Sequence, residues 1–161
     1  MDNDPIYNKL DETHPKSEPG GGTIFVDRPV QGEISTLCMM GGMTIPGIAD
    51  DRIVRRVVAR NRDSLWGIFR ENEGLRGGRT PLGFFANLLL SPEGLEAVKT
   101  GTLDAANPAD EHMVPSGEKP VAIYSWAVLA PGLLEKTLPM LAVKMTDFYA
   151  NLPIPTAAAR W

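Results

Sequence analysis

Ile53, Val54, Val57 and Val58 recur at i, i+1, i+4 and i+5, one apolar helix face that starts from Asp50 or Asp51 as the N-cap and ends near Asn61. Ahead of it, Thr23-Ile24-Phe25-Val26 is a β-branched and aromatic run stopped by Asp27-Arg28-Pro29, a first strand. Residues 31 to 49 interrupt Leu37, Cys38, Met39, Met40, Met43, Ile45 and Ile48 with Gly41-Gly42 and Pro46-Gly47, and the pattern assigns no element there. Leu65 to Arg70 and Leu82 to Leu90 read as two strands of an antiparallel hairpin around the polar, glycine-rich stretch Glu71 to Pro81. Ser91-Pro92-Glu93 then supplies an N-cap, a proline at the first helical position and an acid in the first turn. The helix they open stops at Gly101.

Thr102 to Lys119, with Asn107-Pro108, Pro115 and Ser116-Gly117, reads as a long exposed loop. Val121 to Ala130 is almost uncharged and of strand length, which predicts a central strand covered on both faces. Leu133, Leu134, Leu138, Leu141, Ala142, Met145, Phe148 and Tyr149 return to helical spacing, with Pro139 forcing a kink or a start just before it. Pro153 to Ala159 reads as a last short strand. The order of elements predicts an α/β (α+β) domain, a central mixed and mainly antiparallel sheet with helices packed on it, spanning residues 23–161. Residues 1–22, polar and rich in glycine, read as a disordered tail.

Composition narrows the chemistry. The formal charge of −4 argues against an electrostatic grip on nucleic acid by the whole chain. Cys38 is the single cysteine and His14 and His112 are the two histidines, which leaves no basis for an intramolecular disulfide or a metal centre and fits a reducing cytoplasm. No apolar run reaches about 18 residues, and the acidic start lacks the features of a secretory signal, so the expectation is a cytoplasmic protein with no membrane contact. Arg52, Arg55, Arg56 and Arg60 share a face opposite the valines and read first as a solvated helix face, second as an anion-binding surface. Gly41-Gly42 lacks the spacing of a phosphate loop, and Cys38 among Leu37, Met39 and Met40 reads as a buried thiol. Tyr124 and Trp126 share one face of their strand, either as core or as the wall of a cleft. Tyr124 and the nearby Glu118 are the candidate catalytic residues.

The segments Asp63 to Arg70, Pro81 to Ala86, Ala122 to Gly132 and Asn151 to Ala159, taken in order, resemble the GCN5-related N-acetyltransferase superfamily over residues 50 to 160. That resemblance implies a cleft beside the long strand and its following helix that takes acetyl-CoA or another acyl-CoA, for transfer of the acyl group to a small-molecule or peptide amine. It also implies that backbone N–H groups at the helix start hold the pyrophosphate, which here places the cofactor site at Leu129, Ala130, Gly132, Leu133 and Leu134. The family's Arg/Gln-x-x-Gly-x-Gly/Ala loop is absent, no glycine follows Gly132, and Glu135 carries negative charge near the phosphate position. The family's further helix and hairpin are missing as well, so the chain resembles a shortened or degenerate member. The competing class is a non-catalytic binding or assembly module that keeps the fold. An open strand edge at residues 153 to 159 would then pair in a homodimer or with a partner chain that completes the sheet.

Overall fold

A computed structural model describes residues 22–72 and 78–150 of the chain. Its elements are β1 (Ile24–Asp27), α1 (Gln31–Thr44), α2 (Asp51–Arg60), β2 (Leu65–Asn72), β3 (Gly78–Leu90), α3 (Pro92–Thr100), β4 (Ala122–Leu129) and α4 (Leu134–Ala150). The sheet order is β1-β2-β3-β4 and every described pairing is antiparallel, where a mixed sheet was expected. The expected tail 1–22 is described only at Gly22, and the expected strand 153–159 lies outside the described residues.

Alternation along β3 builds two cores. Phe84, Ala86, Leu88 and Leu90 meet Ile34 and Leu37 of α1 and Ile53, Val54 and Val57 of α2. On the opposite face Val26, Trp66, Ile68 and Phe85 meet Leu141 of α4. Residues 31 to 44, unassigned by pattern, are a helix with only Ile34, Leu37 and Gly41 buried, at i, i+3 and i+7. Met39 and Met43 stand 61% and 82% exposed on its outer side and mask that stripe in the sequence. Its first turn is closed reciprocally, since Val30 N–H donates to Glu33 Oε2 at 2.8 Å and Glu33 N–H donates to the Val30 carbonyl at 2.9 Å. The helix starts at 50 and 91 form as the sequence indicates: Asp50 accepts from Ile53 N–H at 2.9 Å and Ser91 from Gly94 N–H at 3.1 Å.

Two expectations are corrected. The run Val121 to Ala130 is not covered on both faces: Ile123, Ser125 and Val128 of β4, the last strand of the sheet among the described residues, are exposed on the α4 side. An apolar run mimics a strand covered on both faces because the sequence does not show that one face goes uncovered. Residues 102 to 119 are not a simply exposed loop either. Met113 and Val114 are buried, and they lie beside the end of β3 through the Leu90–Met113 bridge and Val114 N–H to the Leu89 carbonyl at 2.9 Å.

The arginines of α2 fasten that returning segment. Arg60 donates twice to the Met113 carbonyl at 3.2 Å, and Arg56 donates to the Pro108 carbonyl and to Asn107 Oδ1. Buried Asn61 completes the junction, donating to the carbonyls of Val114 and Pro115 while accepting from Asp63 N–H. Arg55 instead pairs with Asp51 at 2.8 Å and reaches Ser35 on α1. A row that reads in sequence as a solvated face is, at three of its four positions, a set of tertiary clamps, while Arg52 stays exposed.

Arg79 ties β3 to the start of α1: it pairs with Asp27 and Glu33, each at 2.7 Å, and lies 4.0 Å over the Phe69 ring. This guanidinium holds the Glu33 carboxyl below its usual range of about 4.5, with burial opposing and Val30 N–H assisting. The charged form is therefore favoured in the folded state, so the stabilisation is complete above the unfolded value and is lost as pH falls through the folded one. Chemical unfolding of Glu33→Gln at neutral pH should show lower stability than the unaltered chain, and the difference should vanish in acid below both values. A gap that stays constant through the acid range would remove the ion pair as its cause.

Candidate functional site

β4 ends at Leu129, paired with Phe84, and the chain turns through residues 130 to 133 into α4. Leu133 N–H donates back to the Ala130 carbonyl at 3.0 Å, which closes the turn, and Gly132 within it takes φ +66°, a conformation that favours glycine. A side chain on Gly132 would meet nothing within 4 Å, so the turn faces open space. Leu133 packs into the Trp66 core. Its carbonyl accepts from both Thr137 N–H at 2.9 Å and Thr137 Oγ1 at 2.8 Å, and Thr137 is fully buried. The apolar Leu133 and the hydroxyl of Thr137 thus fix how α4 starts.

No acceptor among the described residues meets the N–H groups of Leu134, Glu135 and Lys136. Together with the aligned peptide dipoles, three bare donors make a site for an anion. Of the residues that the resemblance places at the cofactor, Leu133 spends its N–H on the Ala130 carbonyl, while Leu134 is one of the three bare donors of the first helical turn. Leu134, Glu135 and Lys136 all point their side chains to the exterior, so an anion there meets one carboxylate and one ammonium of the first turn. Along the outer edge of β4, next to this turn, no strand pairs among the described residues.

The candidate catalytic residues do not gather at this turn. Glu118 is exposed and lies before β4, at the end of the strand remote from α4. Tyr124 pairs with Leu88 and packs half-buried on the α1 and α2 core, the face opposite α4. Trp126 shares that face as expected, its indole N–H donating to the Ala105 carbonyl at 2.6 Å. His112 is half-buried, with a buried Nδ1 that has no partner among the described residues. Burial pushes the Cys38 thiol up to about 11, with the Asp51 carboxylate adding to the effect, which leaves it a protonated and inert group at neutral pH. Gly41-Gly42 lies inside α1 and is no phosphate loop.

Three features escaped the sequence reading: Thr137 as a buried anchor of α4, the Arg79 clamp, and the pair formed by Arg28 with Asp63. Among them only Thr137 carried a local signal, a lone polar residue on the buried stripe of Leu133, Thr137 and Leu141. Among the described residues no group of three or more His, Cys, Asp or Glu is placed to hold a metal ion, and no helix is long and apolar enough to cross a membrane. No protein-family model matches the chain, and neither a curated protein nor a solved structure was found similar to it.

Proposed function

We propose that the protein is an acyl-CoA-dependent N-acyltransferase of the type that its order of elements resembles, with the coenzyme pyrophosphate seated on the N–H groups of Leu134, Glu135 and Lys136. The observation that carries this reading is the set of three donors at the start of a 17-residue helix that meet no acceptor among the described residues, directly after a strand whose outer edge pairs with no described strand. The donor chemistry fits an anion, with Lys136 in favour and Glu135 opposed. Acetyl-CoA or a related thioester would lie along β4, its carbonyl open to attack by a small-molecule or peptide amine. The amine nitrogen forms the new C–N bond as the C–S bond breaks, and the amine proton leaves with the coenzyme thiol or through solvent.

Isothermal titration with CoA tests the seat. Glu135→Lys removes one opposing charge and adds a favourable one within the first turn, so CoA should bind about fivefold more tightly than to the unaltered chain at low salt. The gain should shrink as salt screens it. If neither protein binds CoA, the acyltransferase reading fails and a binding or assembly module, the alternative class, takes its place.

A further inference from the structure

On the face of the sheet away from α4, an apolar cavity of about 20 Å³ lies between α1, the α1–α2 connection and the β3–β4 pair. Its space comes from small residues at positions where a core usually places large ones. Ala86 and Ala127 are direct partners across β3 and β4, and Cys38 and Ala49 face them from the helical side. A void of this kind forfeits packing energy, and larger aliphatic side chains at any of these positions would fill it. Its lining side chains offer little to a polar ligand: the Trp126 N–H is already given to Ala105, and the one other side-chain heteroatom is the Cys38 sulfur. Cys38, Ile48, Trp126 and Ala127 are only half-buried and form its mouth.

We propose that this cavity binds an alkyl group of one or two carbons carried on a ligand. The size follows from the room present, since one water-sized group needs about 10–15 Å³. The scarcity of free donors and acceptors among the lining side chains sets the chemistry, because a buried hydroxyl or amine would lose its hydrogen bonds on entry. Two sources share that chemistry, the acyl end of a short thioester and the side chain of an amine acceptor. The cavity assignment itself does not depend on the acyl-transfer reading.

Xenon-pressurised NMR of the methyl-labelled full chain tests it, because xenon occupies apolar cavities without hydrogen bonding. Xenon should shift the methyls of Ala86 and Ala127, the shift should be lost at Ala86 in Ala127→Val, and it should grow in Cys38→Ala, which enlarges the space. Equal shifts at Ala86 in the unaltered chain and in a folded Ala127→Val, or no shift there in either the unaltered chain or Cys38→Ala, would overturn the proposal. Should Ala127→Val fail to fold, Cys38→Ala decides alone. Repeating the titration with saturating acetyl-CoA, with CoA and with ethylamine separates the sources. Displacement of xenon by acetyl-CoA but not by CoA assigns the alkyl group to the thioester, displacement by ethylamine with bound acetyl-CoA leaving xenon undisturbed assigns it to the acceptor, and displacement by neither overturns the proposal. A failure of CoA to bind at all counts against the acyl-transfer reading and leaves the xenon result to judge the cavity.

Discussion

Replacing Arg28 with alanine should cost about 3 kcal/mol of stability, near the lower end for breaking a buried ion pair, and lower the unfolding midpoint by roughly 10 °C. Arg28 donates through Nε to Asp63 Oδ1 at 2.6 Å and through Nη2 to the same oxygen, and its guanidinium lies 5.0 Å over the Trp66 ring. The side chain of Asp63 is only 2% exposed, and its second oxygen, Oδ2, is buried with no partner among the described residues, so the cation is the main compensation for a charge held out of water. Removing Arg28 leaves that carboxylate buried, which is the costly event; the lost attraction itself is a smaller quantity. The double variant Arg28→Ala with Asp63→Asn should therefore be more stable than Arg28→Ala alone. Calorimetric or chemical unfolding of the two checks this, and an Arg28→Ala chain as stable as the parent would show that Asp63 finds water instead.

Gly94→Ala should also destabilise, against the direction that helix propensity predicts. Alanine in place of glycine inside a helix favours folding by up to about 1 kcal/mol. Here, however, a β-carbon would sit 2.0 Å from the His112 carbonyl oxygen and 2.9 Å from its carbon, so α3 and the backbone of the returning segment cannot both keep their positions. The same contact carries Ser91 N–H to the His112 carbonyl at 3.1 Å and Ser91 Oγ to the Glu111 carbonyl at 2.6 Å. Overpacking against backbone costs about 1–3 kcal/mol or more, and because no flexible side chain can yield, we expect a net loss of about 2 kcal/mol after the propensity gain. Thermal unfolding checks the sign: a midpoint at or above that of the parent would contradict the close approach.

These two sites also mark the limit of what the sequence discloses. Helix starts at Asp50 and Ser91, the hairpin of β2 and β3 and the helical stripe of α4 rest on interactions between residues close in the chain, so they are legible from spacing alone. Arg28 with Asp63 and Gly94 with His112 join segments 35 and 18 positions apart, and nothing local at either end announces the partner. α1 is hidden in the sequence for a different reason, because its exposed methionines and internal glycines blur the difference between its faces. β4 reads as covered on both faces because a single apolar run carries no mark of what packs on each side of it. At the candidate site, Gly132 and the start of α4 were legible from Pro131-Gly132 and the stripe behind it. Which N–H groups remain free depended on the turn that Leu133 closes, a geometric fact invisible to spacing.

The central claim is that the first turn of α4 holds the pyrophosphate of a coenzyme A thioester, and amide NMR of the full chain titrated with CoA tests it most directly. The amides of Leu134, Glu135 and Lys136 should move together and saturably, while that of Leu133, already bonded to Ala130, should move less. Saturable binding that leaves residues 134 to 136 unmoved, or no binding at all, would contradict it.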